Sequence, residues 1–128
     1  MNYQSKPLVY SCSGCSNVAQ LANDVALDLN QKQFAQMSCI AGVGGKVTGL
    51  VKIARSGRKI IALDGCHLHC VKSCLSEVGV EADVHFTLAD EGLKKTKYNK
   101  AQQDEVSRWS DLIIARCQSF LQPSDLES

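Results

Sequence analysis

The chain lacks the apolar segments that would place it in or across a membrane. No apolar run approaches the ~18–20 residues that a membrane-spanning helix needs. The first residues, MNYQSKPLVYSCSG, contain no long apolar stretch of the kind found in secretory signals. We therefore expect a cytoplasmic protein with no membrane partner.

The chain also lacks an excess of charge of either sign. Its 14 Lys and Arg residues are balanced by 13 Asp and Glu residues, for a formal net charge of +1. A general nucleic-acid binder usually carries a strong basic excess, so we expect no nucleic-acid partner. With 128 residues, 45% of them hydrophobic, the chain is predicted to form a single globular domain over residues 1–128, with a core over about residues 7–121.

Familiar nucleotide and catalytic motifs are missing as well. The glycine-rich segment 42–46 fails the P-loop pattern, because Val47 stands where Ser or Thr is required. The dinucleotide pattern also fails at Val47, although an anionic group bound by these amides stays open as an alternative. No Ser/His/Asp constellation and no paired-carboxylate motif is recognisable. Whether the chain is an enzyme is therefore left open.

Cysteine is the residue type that stands out. The chain has seven cysteines in 128 residues, a smaller fraction than the roughly 8–10% typical of a disulfide-stabilised scaffold. Six of the seven precede residue 75. In a reducing compartment, clustered cysteines indicate metal or redox chemistry more often than disulfides.

The apolar pattern repeats the order strand, turn, helix. We predict strands over residues 6–12, 34–41, 59–63 and 81–88, and helices over 16–30, 46–55 and about 102–120, the first with Ser16 or Asn17 as its N-cap. A further helix is predicted to begin within residues 66–74 and to end near Gly79. This order predicts an α/β fold: one three-layer domain around a mainly parallel four-stranded sheet, Rossmann- or flavodoxin-like, with the first strand central. In the flavodoxin-like order 2-1-3-4, the first and third strands are neighbours, and ligands bind at the carboxyl edge.

Two cysteine pairs follow the first and third predicted strands. Cys12 and Cys15 form a C-x-x-C motif whose thiolates could hold one metal ion, act as a redox pair, or simply pack as small residues. Cys66 and Cys70 form a second pair some 50 residues later, as a four-cysteine site requires.

The remaining cysteines are weaker candidates. Cys39, in the second predicted strand, and Cys74, one turn after Cys70, are further candidate ligands or core residues. Cys117 belongs to the apolar stripe of the last predicted helix, which we interpret as core.

Other polar residues stand near the second pair. Asp64 ends the third strand, where it could orient a ligand from outside the metal's own coordination shell, or stabilise a turn. His67 and His69 are interpreted mainly as loop or surface residues, and His85 as an ordinary residue of the fourth strand.

Three segments, taken together, resemble a known family. These are residues 12–17 (CSGCSN), 37–44 (MSCIAGVG) and 62–66 (ALDGC). They resemble the DGC-domain family, which is named for its central Asp-Gly-Cys, and the resemblance extends from about Leu8 to Lys95.

The resemblance implies a zinc-binding protein without an established activity. Carried over by position, the implied zinc ligands are Cys12, Cys15, Cys66 and Cys70. His67 stands where a proline often follows the family's central cysteine.

We therefore expect a metal-binding protein, with zinc as the cofactor and its biochemical role, substrate and protein partners open. An iron–sulfur cluster is an alternative cofactor, because up to six cysteines exceed what one zinc ion needs. A thiol redox or sulfur-transfer protein is a second alternative, with Cys15 as nucleophile and Cys12 or Cys66 as the resolving thiol.

Overall fold

The fold is built on one sheet of four parallel strands. The computed structural model describes residues 6–14, 16–65, 68–91 and 103–120, and the side chains of residues 90, 91 and 103 are not described. The strand order is β2-β1-β3-β4, and every neighbouring pair is parallel. The strands are β1 (Leu8–Ser11), β2 (Gln36–Met37), β3 (Ile60–Asp64) and β4 (Val84–Thr87). The predicted α/β fold with β1 inside the sheet is confirmed, whereas the extent of the domain stays a prediction.

The register of the sheet brings the carboxyl ends of three strands to one edge. Ser11 of β1 pairs with Leu63 of β3, and the next residue of β3, Asp64, pairs with Thr87 of β4. All residues of β1 and β3 are buried, as expected for central strands of a parallel sheet that is covered on both faces. The loops that follow β1 and β3 therefore begin side by side.

In the described ranges, five α-helices pack around this sheet: α1 (Asn17–Gln31), α2 (Ile40–Gly44), α3 (Thr48–Ala54), α4 (Cys70–Glu77) and α5 (Gln103–Arg116). The closest helix contacts fall into two groups, α1 with α5 and α2 with α3 and α4. Ser16, one of the two N-cap candidates in the sequence, caps α1 by accepting a hydrogen bond from the Ala19 N–H at 3.2 Å. None of the helices in the described ranges is long and apolar enough to cross a membrane.

The predicted strand over residues 34–41 is largely wrong. Only Gln36 and Met37 pair with β1. The end of the predicted strand and the start of the glycine-rich segment form the short helix α2, with Cys39 at its N-cap. The backbone N–H groups of Phe34 and Ala35 bond to the Leu29 carbonyl at the end of α1, which holds this part of the segment out of the sheet.

The amides behind this helix are also engaged. The N–H of Gly42 donates to the Cys39 sulfur, and those of Gly45 and Lys46 donate to carbonyls within α2. These three amides therefore offer no cradle for an anionic ligand.

Helix α5 buries the stripe that the sequence predicts. Val106, Trp109, Ile113 and Cys117 are all buried, and the Trp109 ring meets the Phe86 ring of β4 edge to face, with centroids 6.4 Å apart. Burial of this stripe fixes the helix against the sheet and α1.

Candidate metal centre at the carboxyl edge of the sheet

Cys12 links the ends of the two central strands. Its backbone N–H donates to the Leu63 carbonyl at 3.1 Å, which extends the β1–β3 ladder by one step. Cys12 is buried, and its Sγ atom accepts a hydrogen bond from the Gly65 N–H at 3.1 Å. The loop that carries Cys12 and the loop that leads to Cys66 are therefore joined directly.

Gly65 fits this place because it has no side chain. A Cβ atom there would lie 2.5 Å from the Val18 carbonyl carbon and 2.7 Å from the Ala19 nitrogen, both backbone atoms at the start of α1. The Gly65 carbonyl accepts a hydrogen bond from the Ala89 N–H at 2.9 Å. The glycine lets the third strand's end approach α1 closely enough to reach the Cys12 sulfur.

Asp64 organises the start of α4. Its carboxylate is buried, and its two oxygens accept hydrogen bonds from the N–H groups of Val71 at 2.8 Å and Lys72 at 3.3 Å. These are among the donors that a helix leaves unpaired at its first turn. Asp64 supplies the cap from the neighbouring strand, because the N-cap residue His69 makes no side-chain capping bond.

Two histidines extend this arrangement along the sheet. The Nε2 atom of His85 lies 2.8 Å from an Asp64 carboxylate oxygen, and the rings of His69 and His85 meet edge to face at 4.9 Å. The Nε2 atom of His69 lies 3.2 Å from the Thr87 hydroxyl. Strand alternation alone indicates no special role for His85, because its contact with Asp64 depends on the β3–β4 register.

Cys70, from the second cysteine pair, and Cys74 both lie on α4. Cys70 is the first residue of the helix and is exposed, whereas Cys74 is one turn later and partly buried. Burial raises the pKa of the Cys74 thiol, and the charges of Cys70 and Asp64 act in the same direction. A Cβ atom on Gly44 would lie 3.0 Å from the Cys74 sulfur, so Cys74 packs against the end of α2.

The other two described cysteines have separate roles. Cys39 is exposed and caps α2, where its sulfur accepts the Gly42 N–H at 3.4 Å. Cys117 is buried in the core, as predicted, and burial raises the pKa of its thiol to about 11. Both are free thiols, as are Cys70 and Cys74.

The four-cysteine site itself is only half within the described residues. Cys12 and Cys70 are described, whereas Cys15, Cys66 and also His67 lie outside. Among the described residues alone, no three His, Cys, Asp or Glu side chains come together as a metal-binding group. The donors fit a thiophilic metal in kind, because Cys12 offers a sulfur that already receives a backbone N–H, a contact typical around metal-bound sulfur.

Comparison with known proteins gives a consistent result. The family model described as the DGC domain matches residues 8–113. A curated relative, the anaerobic and virulence modulator AnvM of Pseudomonas aeruginosa strain PAO1, is 59% identical over 102 residues, which cover 80% of this chain and 78% of the relative. No solved structure matches the chain significantly.

Proposed function

Because the chain belongs to the DGC-domain family, we propose that it is a metal-binding protein that holds zinc through cysteine thiolates at the carboxyl edge of its sheet. The proposed ligands are Cys12, Cys15, Cys66 and Cys70. Cys39 and Cys74 are held by other contacts, as the cap of α2 and the packing against its end, and they are not needed for a tetrahedral ion.

The hydrogen bond from Gly65 to the Cys12 sulfur is the observation that carries this proposal. Cys66 is the next residue in the chain after Gly65, so the first and second cysteine pairs start from positions already in contact. Neighbouring parallel strands are about 4.8 Å apart, a separation that thiolates from both loops can bridge around one ion at about 2.3 Å per bond.

Asp64 supports the same site from outside the metal's coordination shell. It fixes the first turn of α4 through the N–H groups of Val71 and Lys72, and Cys70 is the residue just before them. Carboxylates that hold ligand-bearing segments in place commonly affect metal affinity about 10–100-fold.

Four thiolates around zinc leave no open position for water or substrate, which favours a structural or sensing role over catalysis. Thiolates also react with oxidants, so such a site can respond to redox conditions. The relative is named an anaerobic and virulence modulator. We propose that the present chain is likewise a modulator protein and that it acts in the cytoplasm.

Elemental analysis of protein purified without oxygen tests the proposal. We expect one zinc per chain, and the same content in Cys39→Ser, whose hydroxyl can still cap α2. If the protein instead contained iron and sulfide and showed a visible absorption band, the cofactor would be an iron–sulfur cluster and the zinc assignment would be wrong. Metal-free protein with a redox-active Cys12–Cys15 pair would favour the thiol redox alternative.

A further inference from the structure

A cavity of about 630 Å³ lies between α3 and the end of α4, away from the cysteines. It is lined by Lys46, Thr48, Val51, Lys52, Arg55, Glu77 and Val78. Cys70 begins α4 and Val78 follows its last residue, so the cavity and the candidate metal centre lie at opposite ends of a helix about 12 Å long.

Positive charge dominates the lining of this cavity. Three of the lining residues are cations, Lys46, Lys52 and Arg55, against the single carboxylate of Glu77. Within the described ranges, no carboxylate lies within 4.0 Å of the charged nitrogens of these three residues. Cations that face one cavity without a paired carboxylate attract an anion to it.

Arg55 is fixed in place before any ligand binds. Its Nε atom donates a hydrogen bond to the Val78 carbonyl at 2.9 Å, which ties the end of α3 to the end of α4. This bond orients the planar guanidinium, and its two terminal nitrogens make no hydrogen bond to the described residues. A guanidinium with two free terminal nitrogens, here called the Arg55 fork, can donate two parallel hydrogen bonds to two oxygens of one phosphate group. Because the side chain is already oriented, it loses less conformational entropy when the phosphate binds.

Lys46 occupies a backbone conformation that favours glycine. Its φ angle is 60°, in the left-handed region, although glycines precede it at positions 44 and 45. A lysine at such a position costs backbone strain that a glycine would avoid, and strain of this kind concentrates at functional sites. The structure thus keeps a cation in the lining of the cavity at the expense of local stability.

We propose that this cavity binds a small organic molecule with two or more linked phosphate groups. The three cations take the phosphates, with the Arg55 fork on one of them. Val51 and Val78 offer an apolar surface to the rest of the ligand, and Glu77 accepts a hydrogen bond from a hydroxyl or amino group on it. The volume lies within the 300–1,000 Å³ typical of small-molecule sites.

A titration of the full chain with inorganic pyrophosphate, followed by amide NMR at constant ionic strength, tests the proposal. We expect saturable shifts confined to residues 46–55 and 77–78. Lys52→Gln should weaken binding by roughly fivefold or more, as the loss of a charge-assisted contact predicts. Arg108→Gln, which removes an exposed positive charge on α5, should leave affinity unchanged.

Lys46→Gly separates binding from folding. It removes the cation and relieves the positive φ, so we expect weaker pyrophosphate binding together with an unchanged or higher unfolding midpoint. Equal affinity of Lys46→Gly, Lys52→Gln and Arg108→Gln would overturn the proposal, as would shifts scattered over all surface lysines. Tricarballylate binding as tightly as pyrophosphate would overturn the assignment to phosphate.

Discussion

Gly65 lies where a single methyl group would collide with the backbone at the start of α1. We predict that Gly65→Ala lowers the free energy of unfolding by about 2–3 kcal/mol, because neither the helix start nor the strand end can move without breaking neighbouring hydrogen bonds. Urea unfolding of metal-free protein measures this change, and it separates the packing effect from any loss of metal.

Gly49 provides the matched control. A Cβ atom there meets nothing within 4 Å, and the residue lies in α3. Gly49→Ala should therefore raise the free energy of unfolding by about 0.5–1 kcal/mol, through helix propensity alone. If the two substitutions had equal effects, the close approach of Gly65 to α1 would be wrong.

Asp64 is a buried carboxylate with three hydrogen-bond partners, and its charge faces the positive end of α4. We predict that Asp64→Asn costs about 2–3 kcal/mol, since the amide keeps the shape but loses charge-assisted bonds. Denaturant unfolding measures this loss of stability, with Asp111→Asn as the control. Asp111 is 78% exposed and 3.9 Å from Lys32, so its substitution should change stability by less than about 0.5 kcal/mol.

Single residues were predictable where their signal is local. The Ser16 cap precedes the periodic apolar positions of α1, and Cys117 shares the spacing of the last helix's apolar stripe. The contact between Asp64 and His85 was not predictable, because 21 residues separate them and only the register of β4 on β3 brings them together.

At the scale of elements, the segment after α1 shows why a short apolar run misleads. Residues 34–41 are apolar enough for a strand, yet only two of them pair and Ile40–Gly44 is helical. A short apolar run is compatible with either structure, and cysteine is not among the usual N-cap residues, so the start of α2 carries no standard sequence signal.

The next prediction concerns Cys117, which directly follows α5 and is buried with the apolar stripe of that helix. Cys117→Ser buries a hydroxyl among apolar side chains and should lower the free energy of unfolding by about 1–3 kcal/mol, while metal content stays unchanged. Thermal unfolding and elemental analysis of the same preparation measure both. Loss of metal with the circular dichroism spectrum intact would show that the core assignment of Cys117 is wrong.

The raised pKa of Cys117, about 11, adds a pH dependence. An unfolded thiol titrates near 8.5, so between these values the folded state holds a proton that the unfolded state has lost. Stability from this group is thus complete below about pH 8.5 and falls as pH rises toward 11. Between pH 8 and pH 10, the free energy of unfolding of the wild type should fall by about 2 kcal/mol more than that of Cys117→Ala. Urea unfolding of both proteins at each pH measures this difference, and equal decreases in the two proteins would contradict it.

For the whole molecule, the strand order was predictable because repeated strand–turn–helix units restrict a parallel sheet to few topologies. That order, β2-β1-β3-β4, brings Cys12 next to Gly65 although 53 residues separate them. The cavity between α3 and α4 was not predictable, since it depends on how the ends of two helices meet, and the Arg55 bond to Val78 has no counterpart in sequence periodicity.

Zinc content of the single and double cysteine variants tests the central claim most directly. If both pairs hold one ion, Cys12→Ser and Cys66→Ser should each remove most of the zinc, and the double variant should lose little more, because two thiolates alone hold zinc poorly. Cys117→Ser is the control that keeps its metal. Two additive losses of half the zinc would instead show two separate sites, and they would contradict the shared centre at the carboxyl edge of the sheet.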